Sequence, residues 1–163
     1  MSEVAPLPPQ DDPEAAPNGT HVYRRINPEW WISNGDGGHR LSSQAFQDHP
    51  EYMSVAIGAV LQSMELPPEK VIDSYDGFGL ARLEVTTLRQ DIRLGISLIP
   101  TESEPWHGGV WGKKTGGVKN KLVTAALMLV EPRSVGQKLP ASPQRPSSPT
   151  GQRLERVDGR DAA

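Results

Sequence analysis

Stretches of β-branched and aromatic residues along the middle of the chain predict short strands. Residues 21–26 form one such stretch and end at an Asn-Pro turn signal. Residues 79–85 alternate between apolar and charged side chains, as a half-buried strand does. Residues 96–99 form a short apolar run before a proline, and residues 40–46 are compatible with a further extended segment. We expect these stretches to supply a sheet.

Helical periodicity lies between and after these stretches. Residues 53–64 are predicted to be helical after a possible short strand, and residues 66–72 predict a second short helix with proline in its first turn. A threonine at 86 or 87 is placed to cap a third helix that ends near Gly95. The clearest apolar stripe predicts a last helix that ends before Pro132, formed by Val118, Leu122, Ala125, Ala126 and Leu129.

The order of these elements predicts an α+β fold, because strands and short helices do not alternate regularly as in a doubly wound sheet. A single domain with a mixed or largely antiparallel sheet is expected over residues 21–132, where all the aromatic residues lie. Residues 1–20 hold five prolines and four acids without a basic residue, and residues 133–163 hold six basic and three acidic residues. Both ends are predicted to be disordered tails, the first acidic and Pro-rich, the second basic and Pro/Ser-rich.

Charge and composition exclude several classes of function. The net charge is −3 and the predicted domain is nearly neutral, which argues against a dedicated DNA-binding domain. The chain has no cysteine, so disulfides and thiolate chemistry are excluded. No signal peptide is seen and the longest apolar run is far shorter than the roughly 20 residues of a membrane helix. A soluble cytoplasmic protein without a membrane association is expected.

Residues 104–121 carry the densest candidate chemistry, with a histidine, two tryptophans, five glycines and four lysines. The stretch fails as a nucleotide-binding P-loop, since His107 stands where the first glycine belongs and Lys114 where the hydroxyl belongs. A looser anion or phosphate site is predicted instead at the start of the last helix, where backbone N–H groups are unpaired. Its residues are Lys113, Lys114, Thr115, Gly116 and Gly117, and Thr115 is placed to cap the helix.

Candidate catalytic groups are fewer. His107 is the best general acid or base, because it lies among glycines and three residues from Glu104, which is placed to orient the ring. Ser42 and Ser43 are candidate nucleophiles that could join this pair in space, although they lie in no Gly-x-Ser-x-Gly elbow. No spacing of histidines or carboxylates predicts a metal site.

Two short motifs resemble those of known families. Val22-Tyr23-Arg24-Arg25 and the later Arg-Leu-Ser-Ser-Gln-Ala-Phe run of residues 40–46 are similar to two landmarks of ADP-ribosyltransferase-like and RES-type NAD-using domains. The resemblance implies that Arg24 holds a phosphate of NAD and that Ser42 or Ser43 lines the pocket. The third landmark, a catalytic glutamate, has no clear match in this chain. The chain also resembles a group of small bacterial proteins without an established function, through its Arg-Arg pair, a tryptophan, the Ser-Ser-x-Ala-Phe run and a late histidine.

Three functional hypotheses follow from the sequence. The first is a binding or accessory protein with the anion corner, whose partner is another protein or a small anionic ligand. The second is an enzyme acting on NAD or another nucleotide through Arg24, a serine, His107 and a glutamate. The third and weakest is a nucleic-acid-associated factor that uses the lysines of residues 113–121 and the basic tail.

Overall fold

A fully antiparallel six-stranded sheet organises the chain in the computed structural model, which describes residues 8–48 and 51–133. The order of strands in this sheet is β6-β7-β4-β1-β5-β8, and β2 and β3 form a separate hairpin. The α+β fold with an antiparallel sheet and short helices is thereby confirmed. The strands, in chain order, are β1 (His21–Ile26), β2 (Trp31–Ser33), β3 (His39–Leu41), β4 (Met53–Ile57), β5 (Gly79–Glu84), β6 (Gly95–Leu98), β7 (His107–Trp111) and β8 (Leu127–Val130).

The helical elements are short. Two are α-helices, α1 (Gly58–Ser63) and α2 (Gly116–Ala125), and a π-helical segment spans Thr87–Ile92. Three 3-10 turns cover Pro28–Trp30, Ser43–Phe46 and Pro68–Ile72. The helical turn predicted within residues 66–72 is confirmed, whereas the second half of residues 40–46 is helical rather than extended.

The last helix is shorter than its apolar stripe predicted. It ends at Ala125, and residues 127–130 form β8, which pairs antiparallel with β5 along the edge of the sheet. Pairing with β5 satisfies backbone groups that the outer side of that strand would otherwise expose. The prediction of helix up to Leu129 was therefore wrong, because a tertiary pairing outweighs a local periodicity.

The glycine-rich stretch forms a strand inside the sheet. β7 lies between β4 and β6, and its glycines make room for neighbouring side chains. A Cβ on Gly108 would lie 2.5 Å from Cδ1 of Ile57, and one on Gly109 would lie 2.6 Å from Cδ2 of Tyr52. These two glycines therefore serve packing within the sheet, and they are not a loop that approaches a ligand.

Apolar side chains cover both faces of the sheet. One face carries the main core, including Val22, Ile26 and Val55, on which α2 packs. The opposite face carries a smaller cluster of Ala56, Leu61, Val71, Leu80 and Trp106. Arg24 belongs to the first face and Arg25 to the second, because successive residues of a strand point to opposite sides.

The segment before β1 is packed against the domain, which moves the domain boundary predicted at residue 21. Ala16 is fully buried, and the Asp11 carboxylate forms an ion pair with the Arg89 guanidinium at 3.0 Å. The same carboxylate accepts a hydrogen bond from the backbone N–H of Ile96. Asp11 thus helps to attach residues 8–20 to the domain, where composition alone predicted a tail. The other predicted tail residues, 1–7 and 134–163, lie outside the described residues.

In the part of the chain that the structure describes, no helix has the length and apolar character needed to cross a bilayer.

Candidate functional site

Ser54 and His107 meet on adjacent strands. In the β4–β7 ladder Ser54 lies opposite Gly109 and His107 lies opposite Ala56, so the two side chains are diagonal neighbours on one face. Ser54 Oγ lies 2.7 Å from Nε2 of His107. Nδ1 of the ring lies 2.8 Å from the carbonyl oxygen of Ile99. The ring is thus held at both nitrogens.

These two contacts indicate which nitrogen of the His107 ring carries the hydrogen. A carbonyl oxygen only accepts, so Nδ1 carries the hydrogen and donates it to Ile99. In a neutral ring Nε2 is then the acceptor, and the Ser54 hydroxyl is its donor. The backbone N–H of Ile99 also donates to the carbonyl of His107, which ties the two residues together twice. A serine whose hydroxyl points at an oriented histidine is the arrangement that activates a nucleophile.

Arg24 starts on the other face of the sheet, but its buried guanidinium reaches the backbone of Ser54. Its Nε donates to the carbonyl of Ala45 at 2.9 Å, and its Nη1 donates to the backbone carbonyl of Ser54 at 2.8 Å. The guanidinium also lies 5.3 Å from the ring centroid of Trp30. Among the described residues no carboxylate forms an ion pair with it. Burial above all, and then the nearby charge of Arg25, lowers the pKa of Arg24 to about 10, so the group is charged at neutral pH.

These residues line an open cleft of about 490 Å³, a volume within the range of small-molecule sites. The ring of Tyr52 lies 6.1 Å from that of His107 and 4.9 Å from that of Trp111. The lining is formed by Arg24, Trp30, Gln47, Asp48, Tyr52, Ser54 and His107. We call this the dyad cleft.

A smaller cavity of about 160 Å³ shares Arg24, Trp30 and Ser54 with the dyad cleft. It lies where β1 and β4 separate, since their ladder consists of only two residue pairs that end at Tyr23 and Ala56. We call it the strand-gap cavity. Trp106, Phe78, Val71 and the ion pair between Arg25 and Glu104 complete its walls.

The structure brings together two of the residues predicted for an enzyme and separates the others. Arg24 and His107 share the dyad cleft, whereas Ser42 and Ser43 do not line it. The Ser42 hydroxyl accepts a hydrogen bond from the backbone N–H of Gln44 and caps the following 3-10 turn. Glu104 does not orient the ring of His107, because its carboxylate is paired with Arg25 and the ring is held by Ile99.

Lys114 does not belong to the exposed anion corner that was predicted, because its ammonium bonds within the protein. Its ammonium is buried and donates to the Asp48 carboxylate at 2.6 Å and to the carbonyls of Val110 and Gly112. All three of its donors are used within the protein, so it offers none to a ligand. Burial is the largest cause that lowers the pKa of Lys114, and the hydrogen bond to Asp48 opposes it.

The helix start itself is formed as predicted. Thr115 caps α2, its hydroxyl accepting from the backbone N–H of Val118 at 3.1 Å. Gly116, Gly117 and Lys113 are exposed beside it. Four of the five residues predicted for the anion corner therefore lie at the helix start, namely Lys113, Thr115, Gly116 and Gly117.

Among the residues of the dyad cleft that were missed in the sequence, Ser54 and Tyr52 lie against His107. Ser54 belongs to a segment that was assigned mainly to a helix, and Tyr52 precedes it without any motif. The available signal was the single polar residue within the apolar run of residues 53–57, which marks a strand face that differs from the core face. Nothing local connects this position with His107.

Comparison of the chain with known proteins finds no matching family model, no matching curated protein and no matching solved structure. Within residues 8–48 and 51–133, no group of three or more histidine, aspartate and glutamate side chains is placed to hold a metal ion. Function is therefore inferred from the side chains of the two cavities.

Proposed function

We propose that the protein is an enzyme that transfers or hydrolyses an acyl group of a small anionic substrate. The observation that carries the proposal is the hydrogen bond from the Ser54 hydroxyl to Nε2 of His107, within a cleft that also holds the Arg24 charge. A serine beside a histidine base is the arrangement that acyl transfer uses on many unrelated folds. Here the backbone carbonyl of Ile99 takes the place of the acid that usually orients the histidine.

The proton movements balance in two half-reactions. As Ser54 Oγ bonds to the acyl carbon, its proton passes to Nε2 of His107, and the ring becomes an imidazolium held by Ile99. His107 then returns this proton to the departing alcohol as the bond between carbon and leaving oxygen breaks. In the second half, water attacks the acyl-Ser54 ester, its proton passes to His107, and that proton returns to the Ser54 oxygen when the acid leaves.

Arg24 defines the class of substrate. Its guanidinium is bonded to the backbone carbonyl of the same serine, so an anionic group bound by Arg24 lies next to the reacting hydroxyl. A charged partner in a buried site also discriminates strongly against neutral analogues, because the unpaired charge is costly there. We therefore expect esters that carry a carboxylate or phosphate to react faster than neutral esters of the same size.

A nucleotide such as NAD is the second candidate ligand. Trp30 and Tyr52 offer aromatic surface that suits a base. Arg24 in the same cleft offers a charged donor that suits a phosphate. This candidate keeps the role that the family resemblance implies for Arg24, with Ser54 in place of Ser42 and Ser43. Thermal unfolding in the presence of NAD and ADP-ribose tests it, since ligand at 100 times its Kd stabilises by about 2.7 kcal/mol.

The remaining hypotheses stay predictions with less support. The anion corner at the start of α2 has lost Lys114 to an internal ion pair, and an exposed helix start offers little on its own. The nucleic-acid hypothesis depends in part on the basic segment after residue 133, which lies outside the described residues.

Hydrolysis of two p-nitrophenyl esters of similar size tests the proposal, one neutral and one carrying a carboxylate. We expect the wild-type chain to prefer the anionic ester, and Ser54→Ala or His107→Gln to lower kcat/KM by about 10²-fold or more. Ser42→Ala and Ser43→Ala are the matched controls and should retain the rate. A Ser54→Ala variant as active as wild type, or a wild type without hydrolysis of either ester, would overturn the proposal.

A further inference from the structure

We infer that the strand-gap cavity is a binding subsite for a carboxylate or phosphate group of the ligand, and that Trp106 is its hydrogen-bond donor. The first observation is an unpaired donor. Trp106 is only 7% exposed, and its Nε1 is buried without an acceptor in the part of the chain that the structure describes. A buried donor without an acceptor costs about 1–3 kcal/mol, so such a group marks a place where an acceptor binds.

The second observation is the opening itself. β1 and β4 separate after Tyr23 and Ala56, and the cavity of about 160 Å³ between them is many times the roughly 10–15 Å³ that one water molecule needs. Arg24 reaches across this opening to the carbonyl of Ser54, which a regular ladder would have paired with β1. The hydrogen bond from Arg24 to Ser54 thus takes the place of a ladder pairing, and the space between the strands belongs to the fold.

The charges around the cavity favour an anion. Arg25 is neutralised by Glu104, and its guanidinium also lies 3.9 Å from the ring centroid of Tyr75. Arg24 has no such carboxylate partner among the described residues, so the lining keeps one positive charge. Burial raises the pKa of Tyr23, whose side chain therefore remains a neutral phenol. The cavity thus combines one cation that forms no ion pair among the described residues with one unused donor.

Carboxylate and phosphate share the chemistry that such a pair recognises, a planar or tetrahedral set of charged oxygens. The strand-gap cavity shares three lining residues with the dyad cleft, so a ligand that extends from one to the other places its anionic end beside Trp106 and its reacting bond beside Ser54. This assignment deepens the proposed function and rests on it only for the identity of the reacting end.

The test uses the indole N–H resonances of the full-length chain, which has four tryptophans. Acetate and inorganic phosphate are titrated separately at constant ionic strength. We expect one or both to shift the Trp106 resonance saturably. The Trp111 resonance is the internal control and should stay in place, because its Nε1 already donates to Ser97 Oγ at 2.8 Å. A Trp106 resonance that neither anion moves, or an equal shift of all the indoles, would overturn the inference.

Trp106→Phe keeps the aromatic bulk and removes the donor. It should weaken the affinity for the effective anion about tenfold to hundredfold, as expected for the loss of a hydrogen bond to a charged acceptor. An unchanged affinity contradicts the assignment of Trp106. If this variant does not fold, the wild-type titration still decides.

His107→Gln separates this inference from the proposed function, because His107 does not line the strand-gap cavity and its replacement should leave the anion-induced shift intact. In the wild-type chain, an anion-induced shift without ester hydrolysis refutes the proposed chemistry and supports the subsite. Hydrolysis without a shift does the reverse.

Discussion

The ring of Tyr52 lies directly over Gly109, and this contact sets its edge against His107. A Cβ on residue 109 would come within 2.6 Å of Cδ2 and 2.8 Å of Cγ of that ring. The ring lies 6.1 Å from that of His107, with an angle of 65° between their planes. A glycine in the middle of a strand, which normally weakens a sheet, therefore shapes one wall of the dyad cleft.

Gly109→Ala tests this relationship. The added methyl group must displace Tyr52, and we expect a loss of about 1–3 kcal/mol in the free energy of unfolding, as for overpacking in other cores. Ester hydrolysis should fall as well, because the wall beside His107 moves. Urea unfolding and the hydrolysis rate are the measurements.

Gly116→Ala is the control for that substitution, since nothing lies within 4 Å of a Cβ at this first position of α2. It should leave the rate unchanged and stabilise by up to about 1 kcal/mol. Equal behaviour of the two alanine variants would show that Tyr52 is not held by Gly109.

Lys114→Met distinguishes a structural lysine from a ligand-binding one. Its ammonium is buried and bonded to Asp48 and two carbonyls, so its removal breaks this ion pair and two hydrogen bonds to the backbone. We expect a loss of about 2–4 kcal/mol in the free energy of unfolding. Lys113→Met alters the neighbouring exposed lysine and should change stability by no more than about 0.5 kcal/mol. Similar stabilities of the two variants in urea would refute the structural role.

Asp11→Ala tests whether residues 8–20 belong to the domain. The carboxylate pairs with the buried Arg89 guanidinium and accepts from the N–H of Ile96, and its loss leaves that cation without its acid. We expect a loss of about 2–4 kcal/mol. Glu14→Ala, an exposed acid of the same segment, should be close to neutral. If both variants unfold at the wild-type urea concentration, the segment does not stabilise the domain.

The sequence pattern predicted the structure correctly where interactions between neighbours in the chain determine it. β1 was predicted over the residues it occupies from its β-branched and aromatic side chains, and β5 to within one residue at its end from its alternation. The cap at Thr115 was also predicted, since a hydroxyl before the first helical turn satisfies a free N–H within three residues. These features depend on neighbours in the chain.

Features that depend on distant partners were missed. No strand was assigned to the residues of β7, and the side chains of Ile57 and Tyr52 explain why glycine is required at two of its positions. The apolar stripe of the predicted last helix extends to Leu129, yet residues 127–130 form a strand that pairs with β5 at the edge of the sheet. The serine that meets His107 is 53 positions away in the chain, so it emerges only from the register of β4 against β7.

The most direct test of the central claim is the site of reaction with diisopropyl fluorophosphate, which reacts with serines that a histidine activates. The labelled chain is digested and the modified peptide is located by mass spectrometry, with Ser54→Ala and His107→Gln treated in parallel. We predict a single adduct on Ser54 in the wild type, absent from the first variant and strongly reduced in the second. No adduct, or an adduct on another serine, would contradict the assignment of Ser54 as the nucleophile.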